Sequence, residues 1–237
     1  MRMKKLGFCL SSLSMPDCAL RMAKLFMENG FTYFETDATS ESCSIFRQAV
    51  SEHYPRRSYT IAGRMPLVEK KELPHFWLKR CSRWGFDHLD YCWIPVTNEQ
   101  ERINLPDTLK FLRHLQMEGQ IHHIGISFQG DAVVLDEILT AYPELEYVEL
   151  VFKDGSRTSV PDSCYQVAAG HRKPIIAVLE DAPGPSFSTL QCVMEYPYVM
   201  MVLPSLHQTQ DMECAIRIFK STQDQIIADR NVRSLRQ

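Results

Sequence analysis

Eight short apolar runs alternate with eight stretches of helical spacing along 237 residues, and this alternation constrains the fold more than any other feature. The strand-like runs are Leu6–Leu10, Phe31–Thr36, Tyr59–Arg64, His88–Ile94, Ile121–Ser127, Tyr147–Phe152, Pro174–Glu180 and Val199–Pro204. They are short, largely apolar and often continuous, as expected of parallel strands covered by helices. Between them apolar residues recur three and four apart, as at Ala19, Met22, Ala23 and Phe26, or at Leu105, Leu109 and Leu112. Asn29-Gly30 and Glu118-Gly119 sit where helices end, and Asp131 sits where a helix cap belongs. The helical pattern is weakest between Leu73 and Gly85, where Pro74 and three aromatic residues interrupt it. Strand–helix alternation of this kind predicts an α/β chain folded as a (β/α)8 TIM barrel over residues 1–220, with 221–237 as a C-terminal tail or helix. A doubly wound open sheet is the weaker choice, because no glycine-rich phosphate loop follows any strand.

Composition narrows the function classes. The chain is 45% hydrophobic and 23% charged, with a net charge of −3, so neither nucleic acid nor an anionic membrane is an expected partner. No apolar run is long enough to span a bilayer. The N-terminal MRMKKLGFCLSSLSM resembles a signal peptide, but Gly7 breaks its short apolar run and a first barrel strand is the better reading. Eight cysteines stand singly, with no CxxC pair. Scattered thiols point to reduced, partly buried side chains in a cytoplasmic protein, not to a metal centre or a disulfide framework.

The stretch Phe31–Ser42, FTYFETDATSES, runs from a strand into a polar loop and then a helix. Barrel enzymes keep their chemistry at such strand ends. Together with KKLGFCLSSL, RRSYTIAGRMP, FDHLDYCWIP, GQIHHIGISF, EYVEL, KPIIAVLE and SLHQTQDMEC, it resembles the aldo/keto reductases over Lys4 to Phe219. The likeness is to the bacterial branch that carries an iron–sulfur segment after the barrel, whose cluster cysteines are not found here. The resemblance implies NADPH-dependent carbonyl reduction: a Tyr hydroxyl supplies the proton, a Lys–Asp pair tunes it, and a His orients the carbonyl.

All four of those positions are changed. The Asp position reads Glu35 and the Tyr position reads Ser40, a shorter alcohol of much higher pKa. The Lys position reads Arg64, which stays protonated, and the His position reads Pro95, which has no donor. The implied cofactor site is thinned too. The family's Ser-Asn reads Ser127-Phe128, and its Gln reads Glu149. The loop after the seventh strand shrinks to Asp181–Pro185. Beyond the eighth strand, Ser205, His207 and Glu213 offer polar groups but no Arg. NADPH is therefore a weakened expectation.

Several residues carry further expectations. Glu35 and Arg64 are read as a buried ion pair that replaces the family's Asp–Lys pair. Glu149, Lys153, Glu180 and Asp181 fall at strand ends, as a polar pocket or as a solvated acidic rim. His122 and His123 lie near the start of strand five, the stability face, and take no catalytic role. Trp77 and Trp84 are read as helix–sheet packing, and Trp93 as a residue of the mouth. The functional expectation is a catalytically degenerate aldo/keto reductase-like barrel that binds a small molecule or a protein partner. The alternative is an enzyme still: an altered NADP(H)-dependent oxidoreductase, or a lyase or isomerase using Glu35 or Glu149 as base.

Overall fold

Eight parallel strands close in sequence order into a single barrel, with β8 returning to pair with β1. The structure, a computed structural model, describes residues 5–10, 16–36, 40–85, 88–97, 102–153, 162–180 and 187–234. The strands are β1 (Lys5–Cys9), β2 (Tyr33–Thr36), β3 (Thr60–Arg64), β4 (Leu89–Val96), β5 (Ile121–Phe128), β6 (Tyr147–Lys153), β7 (Ile175–Glu180) and β8 (Val199–Pro204). The helices that follow them are α1 (Pro16–Glu28), α2 (Ser40–Phe46), α3 (Leu73–Trp84), α4 (Leu105–Met117), α5 (Ala132–Ala141), α6 (Asp162–Gly170), α7 (Phe187–Glu195) and α8 (Thr209–Ser234).

Local signals explain most boundaries. Asp131 caps α5 by accepting from the Val133 N–H at 2.8 Å. Gly85 ends α3 with φ 73°, a left-handed turn that a side chain would strain. Pro74 sits in the first turn of α3, where no intrahelical N–H bond is lost, so the aromatic-rich helix forms intact. The polar stretch after residue 221 continues α8 without a break as far as Ser234.

One boundary differs from expectation. Strand β4 continues past Ile94 through Pro95 and Val96. Proline is tolerated there because of which way its backbone faces. The Trp93 carbonyl accepts from Met65 N at 2.8 Å, so alternate residues of β4 turn their peptide groups toward β3. Two residues further on, β3 has already ended at Arg64, and the missing donor breaks no ladder bond.

The core has two parts. Outward-facing strand residues such as Phe8, Phe34, Ile61, Ile94 and Ile126 pack under the helices, with Phe26 and Phe46 lying over them. Each such fully buried side chain contributes about 1.5–3 kcal/mol relative to exposure. The lumen holds a separate cluster of Tyr33, Ala62, Tyr147, Ile176, Met201 and Leu203. Its layers follow the rule that alternate strands fill alternate levels. Tyr33, Tyr91, Tyr147 and Met201 come from the even strands, and the level above, from the odd strands, is Gly7, Ala62, Gly125 and Ile176. Gly7 and Gly125 leave room at that level for their neighbours, Leu203 and Tyr33 beside Gly7 and Tyr147 beside Gly125. A Cβ on Gly125 would lie 2.6 Å from the Tyr147 ring, and one on Gly7 would lie 2.9 Å from Tyr33.

Candidate functional site

The mouth of the barrel, at the C-terminal ends of the strands, begins one level above the tyrosines. Tyr33-x-Glu35 on β2 and Tyr147-x-Glu149 on β6 repeat the same spacing, so each strand turns first a ring and then a carboxyl inward. In an eight-stranded barrel β2 and β6 stand opposite one another. Glu35 and Glu149 accordingly reach the same level, with Trp93 of β4 and Leu203 of β8 completing it. Both carboxyls are buried. They hydrogen-bond to each other, and Ser127, next to Glu149 in register, hydrogen-bonds to it as well.

Two carboxyls in contact away from water cannot both ionise cheaply. Burial pushes the Glu149 proton affinity well above the ordinary carboxyl range, and the charge and hydrogen bond of Glu35 push it further. The Ser127 hydrogen bond acts in the opposite direction. All of these effects but the Ser127 bond favour keeping a proton between the two carboxyls, and the two titrate as a pair. The Tyr33 and Tyr147 hydroxyls lie just beneath, buried and without a hydrogen-bond partner among the described residues. Burial raises both well above the ordinary phenol value, with Glu35 and Glu149 adding to it, so neither is an acid of use near neutrality.

Glu35 does not turn to Arg64. Among the described residues no ion pair joins them; the Arg64 guanidinium carbon lies 5.8 Å from the centroid of the Trp93 ring. The register explains it, since Arg64 pairs with Trp93 on β4 while Glu35 pairs with Ala62 and Cys9. The cation lies over the ring at the rim and the carboxyl points across the lumen. Trp93 is thus a mouth residue, its Nε1 buried without a hydrogen-bond partner among the described residues.

The remaining expected residues scatter. Ser40 opens α2, which the buried Thr36–Ser42 hydroxyl bond of 2.8 Å ties to the end of β2. Pro95 is buried in β4 beside Ser127. Phe128 is buried and packs on Gly130. Ser205 donates to the Leu179 carbonyl at 2.7 Å, while His207 and Glu213 are exposed. Asp181–Pro185 lies outside the described residues, as do the side chains of Ser40, Lys153, Glu180 and Trp84. Trp77 is buried, with its Nε1 donating to Gln120 Oε1 at 2.6 Å. Cys92 is buried and its thiol is raised to about 12, chiefly by burial, so it is no nucleophile.

The start of α8, where the resemblance places a phosphate, is filled by the chain itself. Asp211 Oδ2 accepts from the His207 N–H at 3.0 Å and the Gln208 N–H at 3.1 Å. A buried carboxylate on those two donors takes them from an incoming anion and opposes it by its charge. Buried Phe128 and Glu149, at positions where the resemblance implies amides, do not fit a nicotinamide carboxamide.

No family model and no curated protein matches the chain. Its fold does have solved counterparts. An aldo-keto reductase from Bacillus halodurans in its holo form superposes with a TM-score of 0.73 at 15% identity, over 90% of this chain and 86% of that one. A glycerol dehydrogenase from Gluconobacter oxydans gives 0.71 at 12% identity, over 94% and 91%. An aldo-keto reductase from Klebsiella pneumoniae in complex with NADPH gives 0.67 at 14% identity, over 91% and 85%. Likeness at such identities speaks for architecture alone: the chain is a (β/α)8 barrel of the aldo-keto reductase type.

Proposed function

We propose that this chain is an aldo/keto reductase-like barrel that does not reduce carbonyls and instead binds a small-molecule ligand or a protein partner at its mouth. Pro95 carries the reading. It occupies the fourth-strand position where the resemblance implies a carbonyl-orienting His, and a proline has neither a side-chain donor nor an N–H. Ser40, at the proton donor's position, supports the same conclusion. Loss of acid–base groups costs about 10²–10⁴-fold each. The test is NADPH oxidation with a panel of aldehydes and ketones. Steady turnover on the order of 1–10 per second would overturn the reading. We place the chain in the cytoplasm, a setting in keeping with eight cysteines that stand free of disulfides.

A second reading rests on the carboxyl pair. Glu149 and Glu35 form a buried, hydrogen-bonded carboxyl pair that nothing in a binding role requires, and a raised carboxyl pKa is how a protein keeps an acid or base useful near neutrality. On this reading the chain is a lyase or isomerase that moves a proton with Glu149 or Glu35, without a nicotinamide cofactor. A bell-shaped pH–rate profile abolished by Glu149→Gln would support it. An altered NADP(H)-dependent oxidoreductase is the weaker variant, because the α8 start and Phe128 do not suit the cofactor.

A further inference from the structure

We propose that His88, Asp90 and His122 form a binding site for a divalent cation of the zinc class, on the outer wall at the N-terminal end of the barrel. His88 immediately precedes β4 and Asp90 lies two residues further on, so the strand's period of two sets both side chains on one face. The ladder pairs Leu89 with Ile121 and Tyr91 with His123, which puts Asp90 beside His122 on β5. One nitrogen from each imidazole and one carboxylate oxygen all lie within 4.8 Å of one another. His122 Nδ1 is 3.5 Å from Asp90 Oδ1, and the two imidazole centroids are 5.0 Å apart.

The carboxylate is already oriented. Asp90 Oδ2 accepts from Arg56 Nη2 at 2.7 Å and from the Ile61 N–H at 2.8 Å, so Oδ1 is the oxygen turned to His122. Outer-shell hydrogen bonds on one oxygen, with the other left to a metal, is how ligating carboxylates are held. Two imidazoles and one carboxylate suit zinc and its neighbours rather than calcium or magnesium, which prefer all-oxygen shells. Asp90 and His122 come from two adjacent strands of a closed sheet and His88 from the residue before β4, so little ordering remains for the metal to impose. Arg56 lies on the far side of the carboxylate and opposes a second cation there, which limits the site to one ion. The location, at the opposite end of the strands from Glu35 and Glu149, makes it a structural site independent of the mouth.

The test is calorimetric titration of the full chain with Zn²⁺, paired with Co²⁺ absorption spectra, at a pH where imidazoles are neutral. One equivalent should bind. His88→Ala and His122→Ala should each weaken it at least about tenfold, since losing even an outer-shell partner costs roughly 10–100-fold. His114→Ala, a change to an exposed His on α4, should leave the affinity unchanged. If His122→Ala does not fold, His122→Gln makes the same comparison without removing the side chain. Cobalt should show ligand-field bands without thiolate charge transfer. Absence of zinc binding, binding undiminished in both histidine variants, or a thiolate band abolished by alkylating the cysteines would each overturn the site.

Discussion

Glu35 and Glu149, on opposite strands of the barrel, meet across the lumen and hydrogen-bond to each other. In the unfolded chain each carboxyl titrates near its ordinary value, 4.5 for Glu149, whereas in the fold Glu149 keeps its proton to well above that. Between the two values the native state binds the extra proton, so stability is greatest on the acid side and declines as pH rises. The slope reaches about 1.4 kcal/mol per pH unit for one proton. Glu149→Gln should remove that decline, matching the parent at acid pH and exceeding it increasingly above. Urea unfolding across a pH series measures it; parallel curves for parent and variant would mean that the pair is not protonated in the fold.

Arg64 makes a lesser contribution than a buried ion-pair partner would. Its guanidinium lies over Trp93 and its side chain is half-buried at the rim. Arg64→Ala should cost about 0.5–2 kcal/mol, the range of a cation–π contact, not the ~3–5 kcal/mol of a broken buried pair. A double-mutant cycle with Glu35→Ala should show near-zero coupling. Coupling above about 1 kcal/mol would place the two residues in one network.

Gly125 has no room for a methyl group. Its Cβ would lie 2.6 Å from the Tyr147 ring, which also packs edge-on to Tyr91 at 5.4 Å between centroids. Gly125→Ala should destabilise by about 1–3 kcal/mol through overpacking. Combining it with Tyr147→Leu should recover part of the loss, because the smaller side chain vacates the clash. Thermal melts of the two single variants and the double variant decide this, and strict additivity would rule out the clash as cause.

Asp211 occupies the N–H groups that open α8. Asp211→Ala should lower stability by about 0.5–2 kcal/mol, as loss of a terminal capping group does. The parent should show no saturable NADPH binding at low micromolar concentration by fluorescence or calorimetry. Tight binding to the parent would mean that the cofactor approaches by a route that avoids these donors, and would strengthen the oxidoreductase reading.

Barrel topology was legible in the residues themselves, because strand and helix periodicities are local and their alternation leaves few ways to bury eight apolar runs. The cap at Asp131 and the helix-ending glycines Gly30 and Gly119 were legible for the same reason, each being a contact or a backbone angle set within a few residues. The strand-end placement of Glu35 and Arg64 followed from where each apolar run stops, whereas Glu149, also read as a strand-end residue, is the third residue of β6. What they touch did not. Glu35 and Arg64, on neighbouring strands, suggested an ion pair, but register and tilt decide which side chains share a level. That put Glu35 against Glu149, 114 positions away in the numbering, and Arg64 against Trp93. The cluster of His88, Asp90 and His122 was hidden likewise, since it exists only through the β4–β5 ladder. A sequence carries the period of each strand, while closure of the barrel fixes the relative height of strands far apart in the chain, and only that height determines which charges and protons meet.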